Sequence, residues 1–303
     1  MGYGQVQPQL TGSNALGRGR GFTAEVWDGF DPAAMDRDPG IGFYQQDDFM
    51  RWIWIPANTA ITATVNGYQA LTTNNTGCQI VSLAGQGGIL SLENAASAGD
   101  NDEAFLQAGR CHILASAEED DTFPYHHPAK VVFGCRFALN SVSNNVNGIF
   151  VGLAGQNVVT GDLATDSSAL VSTFHGLGIQ ILQADGDAIN LVYQENGSAL
   201  QTLISAALVP VVDEWHTFEM AIDPLAPTSE RGKFWFDGVL HATKLTHAQY
   251  TASTFPISTD AVSIPLGATF LHKAGSDAVA ALRLGGWRCW SSLNRAMGDE
   301  VCG

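Results

Sequence analysis

The sequence is poor in basic residues. Lysine and arginine together number 14, against 30 aspartate and glutamate residues, and the formal net charge is −16. Binding to nucleic acid or to an anionic membrane depends on clustered cations that neutralise phosphate groups. The composition therefore predicts neither nucleic acid nor membrane as a partner. The excess of acidic side chains is explained in two ways: they keep the surface soluble, or they bind calcium or contact a basic protein surface.

Paired cysteines and long apolar runs are also missing. No apolar run approaches the roughly eighteen residues that cross a bilayer, and the chain opens on no charged-then-apolar leader, so we expect a soluble chain without a secretion signal. An odd number of cysteines without a C-x-x-C pair argues against both a zinc site and a disulfide framework. The five cysteines are Cys78, Cys111, Cys135, Cys289 and Cys302.

Long helical patterns are absent, and short alternating segments take their place. Apolar residues alternate with other residues in 130–138, 177–193 and 215–223, as expected for strands with one face in a core. Asp185-Gly186 and Asp237-Gly238 each follow such a strand, and Asp-Gly favours a tight hairpin turn. Apart from a one-turn helix at 246–251, the pattern predicts an all-β protein, an antiparallel β-sandwich.

The first 48 residues differ from this pattern. They contain a flexible basic stretch at 17–21 and two Asp-Pro steps, which favour extended backbone. We predict an extended N-terminal arm over residues 1–48 and a sandwich domain over 49–303. The arm is either a disordered terminus or an attachment segment that docks on a neighbouring subunit. Its anchors would be four aromatic residues, namely Trp27, Phe30, Phe43 and Tyr44.

Three motifs in the second half of the chain resemble the concanavalin A-like/laminin-G jelly-roll family. They are the FVGL segment at 150–153, the W-x-x-F-x-M-x-I-D strand at 215–223 and the FWFDG hairpin at 234–238. The resemblance covers about residues 85–290 and implies that Trp215 caps the sandwich edge. It implies the fold but not the function, because lectins, hydrolases, lyases and structural proteins share it.

A narrower set of motifs is similar to structural proteins of tailed phages. These are GGILSL at 87–92, DNDEAFLQ at 100–107 and VVFGCRF at 131–137. This resemblance implies a virion protein of the capsid decoration type, assembled in the host cytoplasm and placed on the capsid surface. Its partners would be capsid protein and copies of itself, as a homo-oligomer such as a trimer. The alternative is a carbohydrate-binding module or phage adhesin that stacks surface glycans on Trp52, Trp54 or Trp287.

The carboxylate motifs of enzymes on this fold are not found. Glycosidases of the fold place a nucleophile and an acid on one strand, about 5 Å apart. The E-x-D match at 118–120 is followed by no glutamate, and its neighbours favour a solvated loop. No G-x-S-x-G nucleophile elbow occurs either. We therefore predict a protein that is not an enzyme.

One acidic stretch has the oxygen density that calcium prefers. Asp100, Asp102 and Glu103 are the candidate ligands, although the glycine and distal glutamate of an EF-hand loop are missing. Capping of backbone amides in a turn is the other reading of these carboxylates. His126-His127 is a poor chelate, because adjacent strand residues face opposite ways. We predict no cofactor, with calcium as the one ion left open.

Overall fold

The structure is a computed structural model. It describes residues 22–23, 25–27, 42–51, 53–56, 59–65, 67–72, 79–83, 88–94, 102–110, 112, 114, 130–155, 163–165, 169–257, 265–274 and 279–292. Within these ranges lie one short helix, α1 (His247–Tyr250), and seventeen strands. The strands are β1 (Gly42–Asp47), β2 (Trp54–Ile55), β3 (Thr59–Val65), β4 (Tyr68–Thr72), β5 (Gln79–Ser82), β6 (Leu90–Asn94), β7 (Glu103–Ala108), β8 (Val131–Leu139), β9 (Asn147–Ala154), β10 (Gly176–Ile181), β11 (Ile189–Gln194), β12 (Gln201–Leu208), β13 (His216–Ile222), β14 (Gly232–Phe236), β15 (Val239–Leu240), β16 (Gly267–Ala274) and β17 (Ala280–Ser292).

The strands form two antiparallel sheets. Sheet A has the order β15-β14-β13-β8-β17-β6-β5-β2, with β1 added beside β17, and sheet B has the order β12-β11-β10-β9-β16-β7-β4-β3. The sequence alternation decides which side chains face inward. Phe133, Cys135 and Phe137 of β8 enter the core between the sheets, as do Phe218 and Met220 of β13. The chain thus folds as a lectin-like β-sandwich jelly roll, and the predicted fold class is confirmed.

A β-bulge divides β17 into two halves. The pairing with β8 shifts between Leu284 and Gly286, and Gly286 has φ +132°. An extra residue reverses which side chains face inward. Leu282 and Leu284 therefore enter the core before the bulge, and Trp287 and Cys289 enter it afterwards. On the side of β17 away from β8, the half of β17 before the bulge pairs with β6 and the half after it pairs with β1. The bulge therefore marks the point at which one neighbouring strand replaces the other.

Both predicted Asp-Gly turns are present, and they differ in form. Asp237 (φ 51°) and Gly238 (φ 76°) form the tight turn between β14 and β15, so that prediction is confirmed. β10 and β11 form the predicted hairpin, and Asp185 and Gly186 lie in the connection between them. A 3-10 turn at Gln183–Asp185 lengthens this connection, and Gly186 is right-handed at φ −64°.

The strands and the helix bear on three further expectations. α1 lies within the predicted 246–251 and begins at a capping box formed by Thr246 and Gln249. β1 lies within the predicted arm and already pairs with β17 in sheet A, and the division of the chain at residue 48 stays a prediction. Trp215 directly precedes β13, which is the third strand of sheet A counted from β15, so Trp215 does not cap an edge strand. The centroid of the Trp215 ring lies 4.2 Å from the guanidinium carbon of Arg136. Across the described ranges, no helix has the length and apolarity needed to span a bilayer.

Candidate functional site

A cleft opens at the point along β17 where its pairing partner changes from β6 to β1. It has a volume of about 790 Å³ and is lined by β1, by the residues that follow β1 and by Gly285–Arg288 of β17. Gly67 and Tyr68 of sheet B also line it. The bulge produces this opening, because β6 and β1 cannot meet each other beside it. We call this opening the seam cleft.

Three side chains form a hydrogen-bonded chain in the wall of the seam cleft. Trp287 Nε1 donates to the hydroxyl of Tyr68 at 2.7 Å, and that hydroxyl donates to Asp47 Oδ2 at 2.9 Å. The other carboxylate oxygen of Asp47 accepts from the backbone N–H of Phe49 at 2.7 Å. Burial, together with the charge of Asp47, raises the pKa of Tyr68, which therefore stays a neutral donor. The wall is rigid and polar.

Charged groups of both signs face the same opening. Asp48, Arg51 and Arg288 line the cleft together with Asp47, so its formal charges balance. Burial lowers the pKa of Arg288, and the carboxylates of Asp48 and Glu219 counteract that effect. A site with donors, acceptors and no net charge suits a neutral polyol better than an ion.

A second built site lies on the outer face of sheet A, and its centre is Glu219. This side chain is fully buried although it points away from the core. Its carboxylate accepts from the backbone N–H of Thr23 at 2.9 Å and from Trp27 Nε1 at 2.7 Å. The hydroxyl of Thr23 donates to it as well. Burial raises the pKa of Glu219, and these hydrogen bonds oppose the rise.

The neighbours of Glu219 complete a socket for aromatic rings. Gly134 pairs with Glu219 on one side and with Arg288 on the other. A Cβ on Gly134 would lie 2.9 Å from the rings of both Phe22 and Trp27. The guanidinium of Arg288 lies 5.1 Å from the centroid of the Phe22 ring, a cation–π contact. We call Gly134, Glu219 and Arg288 the outer socket and residues 22–27 the latch segment.

Exposed valines gather at one end of the sandwich. Val209, Val211 and Val212 are 62%, 52% and 45% exposed, and Val279 is 59% exposed. The loop that carries the first three is tied to the end of β8, since Asp213 N donates to Leu139 O at 2.7 Å. Val279 adjoins the same end, where Asn140 N donates to Ala281 O. We call these four residues the valine end.

The predicted calcium ligands do not form an open site in the part of the chain that the structure describes. Asp102 is 2% exposed and Glu103 is 1% exposed, and Asp100 lies outside the described residues. A Glu103 carboxylate oxygen is 3.6 Å from the Lys273 ammonium, which donates to Ala164 O at 2.9 Å. No group of three or more ligand-type side chains suited to a metal occurs within the described ranges. Glu103 instead joins β7 to β16 across sheet B.

The predicted interface anchors mostly contact this chain itself. Trp27 and Tyr44 pack on an outer cluster of sheet A that contains Val132, Trp235 and Trp290. Phe43 is 40% exposed and its ring centroid is 5.3 Å from that of His112. Phe30 lies outside the described residues. Docking of these residues on a neighbouring subunit stays a prediction.

The tryptophans proposed as sugar platforms also differ from one another. Trp54 is 59% exposed on the edge strand β2, whereas Trp287 is 3% exposed and held by Tyr68. Trp52 lies outside the described residues.

Sequence reasoning missed the residues that build the seam cleft and the outer socket. Glu219 occupies the outward position of an alternating strand, where a carboxylate is normally solvated. Gly134 stands between Phe133 and Cys135 in a strand, and a glycine there often marks a close approach of another segment. That glycine was the one available signal for the socket. Nothing local in the sequence points to Asp47 and Tyr68 as partners.

Comparison with known proteins gives structural likenesses only. No family model matches the chain, and no curated protein matches it. A protein of unknown function from Shewanella oneidensis MR-1 is similar over 88% of this chain and 97% of its own, with 14% identity and a TM-score of 0.48. The carbohydrate recognition domain of Emp47p is similar over 83% and 97%, with 13% identity and a TM-score of 0.47. Peanut lectin is similar over 80% and 97%, with 10% identity and a TM-score of 0.46. Likeness at this level does not say what this chain binds.

Proposed function

We propose that this chain is a non-enzymatic structural protein of a virus particle, placed on the capsid surface and bound to neighbouring capsid subunits. The motifs at 87–92, 100–107 and 131–137 that resemble tailed-phage structural proteins support this assignment. The valine end is the structural observation that carries it. Four exposed β-branched side chains at one end of an acidic molecule form the kind of apolar surface that protein contacts cover.

Contact through the valine end suits a repetitive shell. A single small apolar patch binds weakly, but many copies on a shell raise the effective affinity without new contacts. Acidic residues around an apolar centre then select a basic face of the capsid over other surfaces. Asp213 stands beside Val212 and holds Arg283 at 2.6 Å, which fixes the loop that presents the valines.

Substitution of Val211 with aspartate is expected to remove the chain from particles. A carboxylate at the centre of an apolar contact must lose its water shell, which costs several kcal/mol when no partner is supplied. Mass spectrometry of purified particles measures the ratio of this chain to capsid protein, and we expect at least a tenfold decrease for Val211→Asp.

Leu225→Asp is the matched control. Leu225 is 56% exposed and follows β13, whose last residue Ile222 pairs with Val131 at the opposite end of β8. Particles should retain this variant at the wild-type level. Absence of the wild-type chain from particles would refute the virion assignment, and equal loss of both variants would refute the valine end as the contact.

The seam cleft favours a second candidate function, the binding of a surface glycan. Ligand sites combine a few polar groups with aromatic side chains, and the seam cleft places Asp48, Arg51 and Arg288 in the same lining as the partly exposed ring of Phe43.

Arg51→Ala is expected to weaken glycan binding at least tenfold if the seam cleft is the site, because a charged donor is removed. Glycan-array binding followed by titration calorimetry measures the change. Trp54→Ala is the comparison, since Trp54 is exposed on β2 and does not line the cleft. Loss with Trp54→Ala alone would place the sugar on β2 instead. No binding by the wild type to any glycan on the array would reject the function.

A further inference from the structure

The ring of His216 ties the valine end to the body of the sandwich. His216 is the first residue of β13 and is 4% exposed. The backbone N–H of Val211 donates to its Nε2 at 3.3 Å, and its Nδ1 lies 2.9 Å from Asp237 Oδ2. A ring nitrogen that accepts a hydrogen bond carries no proton, so this network places the single proton on Nδ1, which donates to Asp237.

The groups around His216 hold the ring in this orientation. Asp237 Oδ1 accepts from the backbone N–H of Thr217 at 2.8 Å, and the N–H of Asp237 donates to Thr217 O at 2.9 Å. The ring of Phe137, in the neighbouring strand β8, packs on that of His216 with centroids 6.0 Å apart. The direction in which Nε2 faces Val211 is therefore fixed.

A second proton on His216 is incompatible with its contact to Val211. A doubly protonated imidazole donates from both nitrogens, so Nε2–H would face the N–H of Val211 and the hydrogen bond between them would be lost. The ring is held on its other side by Asp237, so the loop at 209–215 has to move instead. Its remaining anchors, Asp213 N to Leu139 O and the Asp213–Arg283 ion pair, hold only the part of the loop that follows Val212.

The charges around the ring favour loss of the loop contact over loss of the contact to Asp237. The charged and titratable groups on the elements around His216 are Asp237 in the turn, Asp213 and Glu214 in the loop, Arg136 in β8, Arg283 in β17 and His241 after β15. Arg283 is directed at Asp213, 2.6 Å away, and the guanidinium of Arg136 lies over the ring of Trp215. A positively charged His216 keeps Asp237 as its partner, and such a charged pair is stronger than the neutral one.

We propose that protonation of His216 releases the part of the loop that carries Val211 and Val212, so that the valine end binds its partner at neutral pH and binds it weakly in acid. Histidine is the side chain whose charge ordinarily changes between about pH 5 and 8. This inference rests on the proposed role of the valine end as the contact to neighbouring subunits, and it adds the regulation of that contact.

Amide hydrogen exchange of the purified, isotope-labelled protein tests the release. The protection of the Val211 amide, relative to an unstructured amide at the same pH, should fall at least tenfold between pH 7.5 and about pH 5.5. His216→Gln is the matched control, because glutamine has similar reach and takes up no proton. Its Val211 protection should not change between the two pH values. A wild type without this fall, or an equal fall in His216→Gln, would overturn the inference.

Asp237→Asn tests the placement of the proton at neutral pH. Asparagine also favours the tight turn before Gly238, and its Oδ1 can still accept from the N–H of Thr217. Its Nδ2 then donates to His216 Nδ1, which moves the ring proton to Nε2 and sets it against Val211. We expect at least tenfold lower protection of the Val211 amide at pH 7.5. Protection equal to that of the wild type would contradict the role of Asp237.

Washed particles connect the loop to the contact. Mass spectrometry should show that the wild-type chain leaves purified particles at about pH 5.5 and stays at pH 7.5, whereas His216→Gln stays at both. Equal retention of the two chains in acid would overturn the regulation of the contact. Absence of the wild type at pH 7.5 would instead refute the virion assignment, and the exchange measurements on purified protein still decide whether His216 releases the loop.

Discussion

Replacement of Gly152 with alanine is expected to lower the free energy of unfolding by about 3 kcal/mol. Gly152 of β9 pairs with Gly178 of β10 in the middle of sheet B. A Cβ on Gly152 would lie 2.3 Å from Leu177 O and 2.5 Å from Gly178 Cα. These are backbone atoms of a paired strand, so they cannot turn aside as a side chain can. Relief of the clash requires β9 and β10 to separate, and the ladder hydrogen bonds between them are then strained.

Urea denaturation measures this change, and thermal unfolding should show a decrease in Tm of about 5 °C. Gly197→Ala is the control, because Gly197 also has a constrained backbone, with φ +82°, but has no atom within 4 Å of the added carbon. Its cost should be about 1 kcal/mol, the strain of a left-handed conformation alone. Equal effects of the two substitutions would show that the backbone approach at Gly152 is not limiting.

Acid is expected to destabilise the fold strongly below pH 6.5. Burial lowers the pKa of His112 to about 3 and that of His272 to about 3. Both values lie below that of an unfolded histidine, near 6.5, so the unfolded chain takes up protons first as the pH falls. The stability that the neutral rings provide is complete above pH 6.5 and is lost progressively toward pH 3. Between pH 6.5 and 4.5 the two residues together account for a decrease on the order of 5 kcal/mol.

Burial keeps these rings neutral, and the hydrogen bond of His272 decides which of its nitrogens carries the proton. His272 Nε2 lies 2.9 Å from Asn147 Oδ1, and the Asn147 amide is oriented because its Nδ2 donates to Ser141 O at 2.8 Å. His272 therefore carries its proton on Nε2, and a second proton on Nδ1 would place a charge inside the core. Burial of Glu219 raises the pKa of its carboxyl, which makes the fold more stable as the pH falls, so Glu219 does not contribute to the acid loss.

Urea denaturation at several pH values tests this expectation. Burial also lowers the pKa of His175, to about 4. His272→Gln should therefore reduce the slope of stability against pH between 6.5 and 4.5 by about a third, because one of three buried histidines no longer titrates. His112→Gln should reduce the slope by the same amount, because burial lowers the pKa of His112 to about 3 as it does that of His272. An unchanged slope for His272→Gln would show that other groups set the acid limit.

The interior of the sandwich was predictable from the sequence because it depends on local alternation. Phe218 and Met220 share a face, and the Asp237-Gly238 turn fixes the register of its hairpin, so short-range rules suffice there. The bulge that reverses which side chains of β17 face inward was not predicted, although Gly285-Gly286 stands at that point. A glycine pair in a strand marks a bulge only when the partner strand is known, and β8 lies far away in the chain.

The candidate sites were largely beyond sequence reasoning because each is assembled from distant segments. Glu219 becomes a buried acceptor only after Thr23 and Trp27 are laid across sheet A. Asp102 and Glu103 look like cation ligands in the sequence, but both are buried, and Glu103 lies beside Lys273 of β16. Trp27 and Tyr44 of the N-terminal segment pack on the outer face of sheet A of this chain, a contact that could not be named without the fold, and their predicted docking on a neighbouring subunit stays a prediction.

The position of β17 also bears on how the molecule is synthesised. β17 is the last of the described strands in chain order, yet it stands in the middle of sheet A, with β8 on one side and with β6 and then β1 on the other. Until it emerges from the ribosome, strands made much earlier expose unpaired edges and apolar faces. Pairing of such distant segments is slow, and the waiting intermediates are prone to aggregate. Chains that stop before β17 should therefore accumulate as insoluble material, because the edge of β8 that β17 covers stays unpaired.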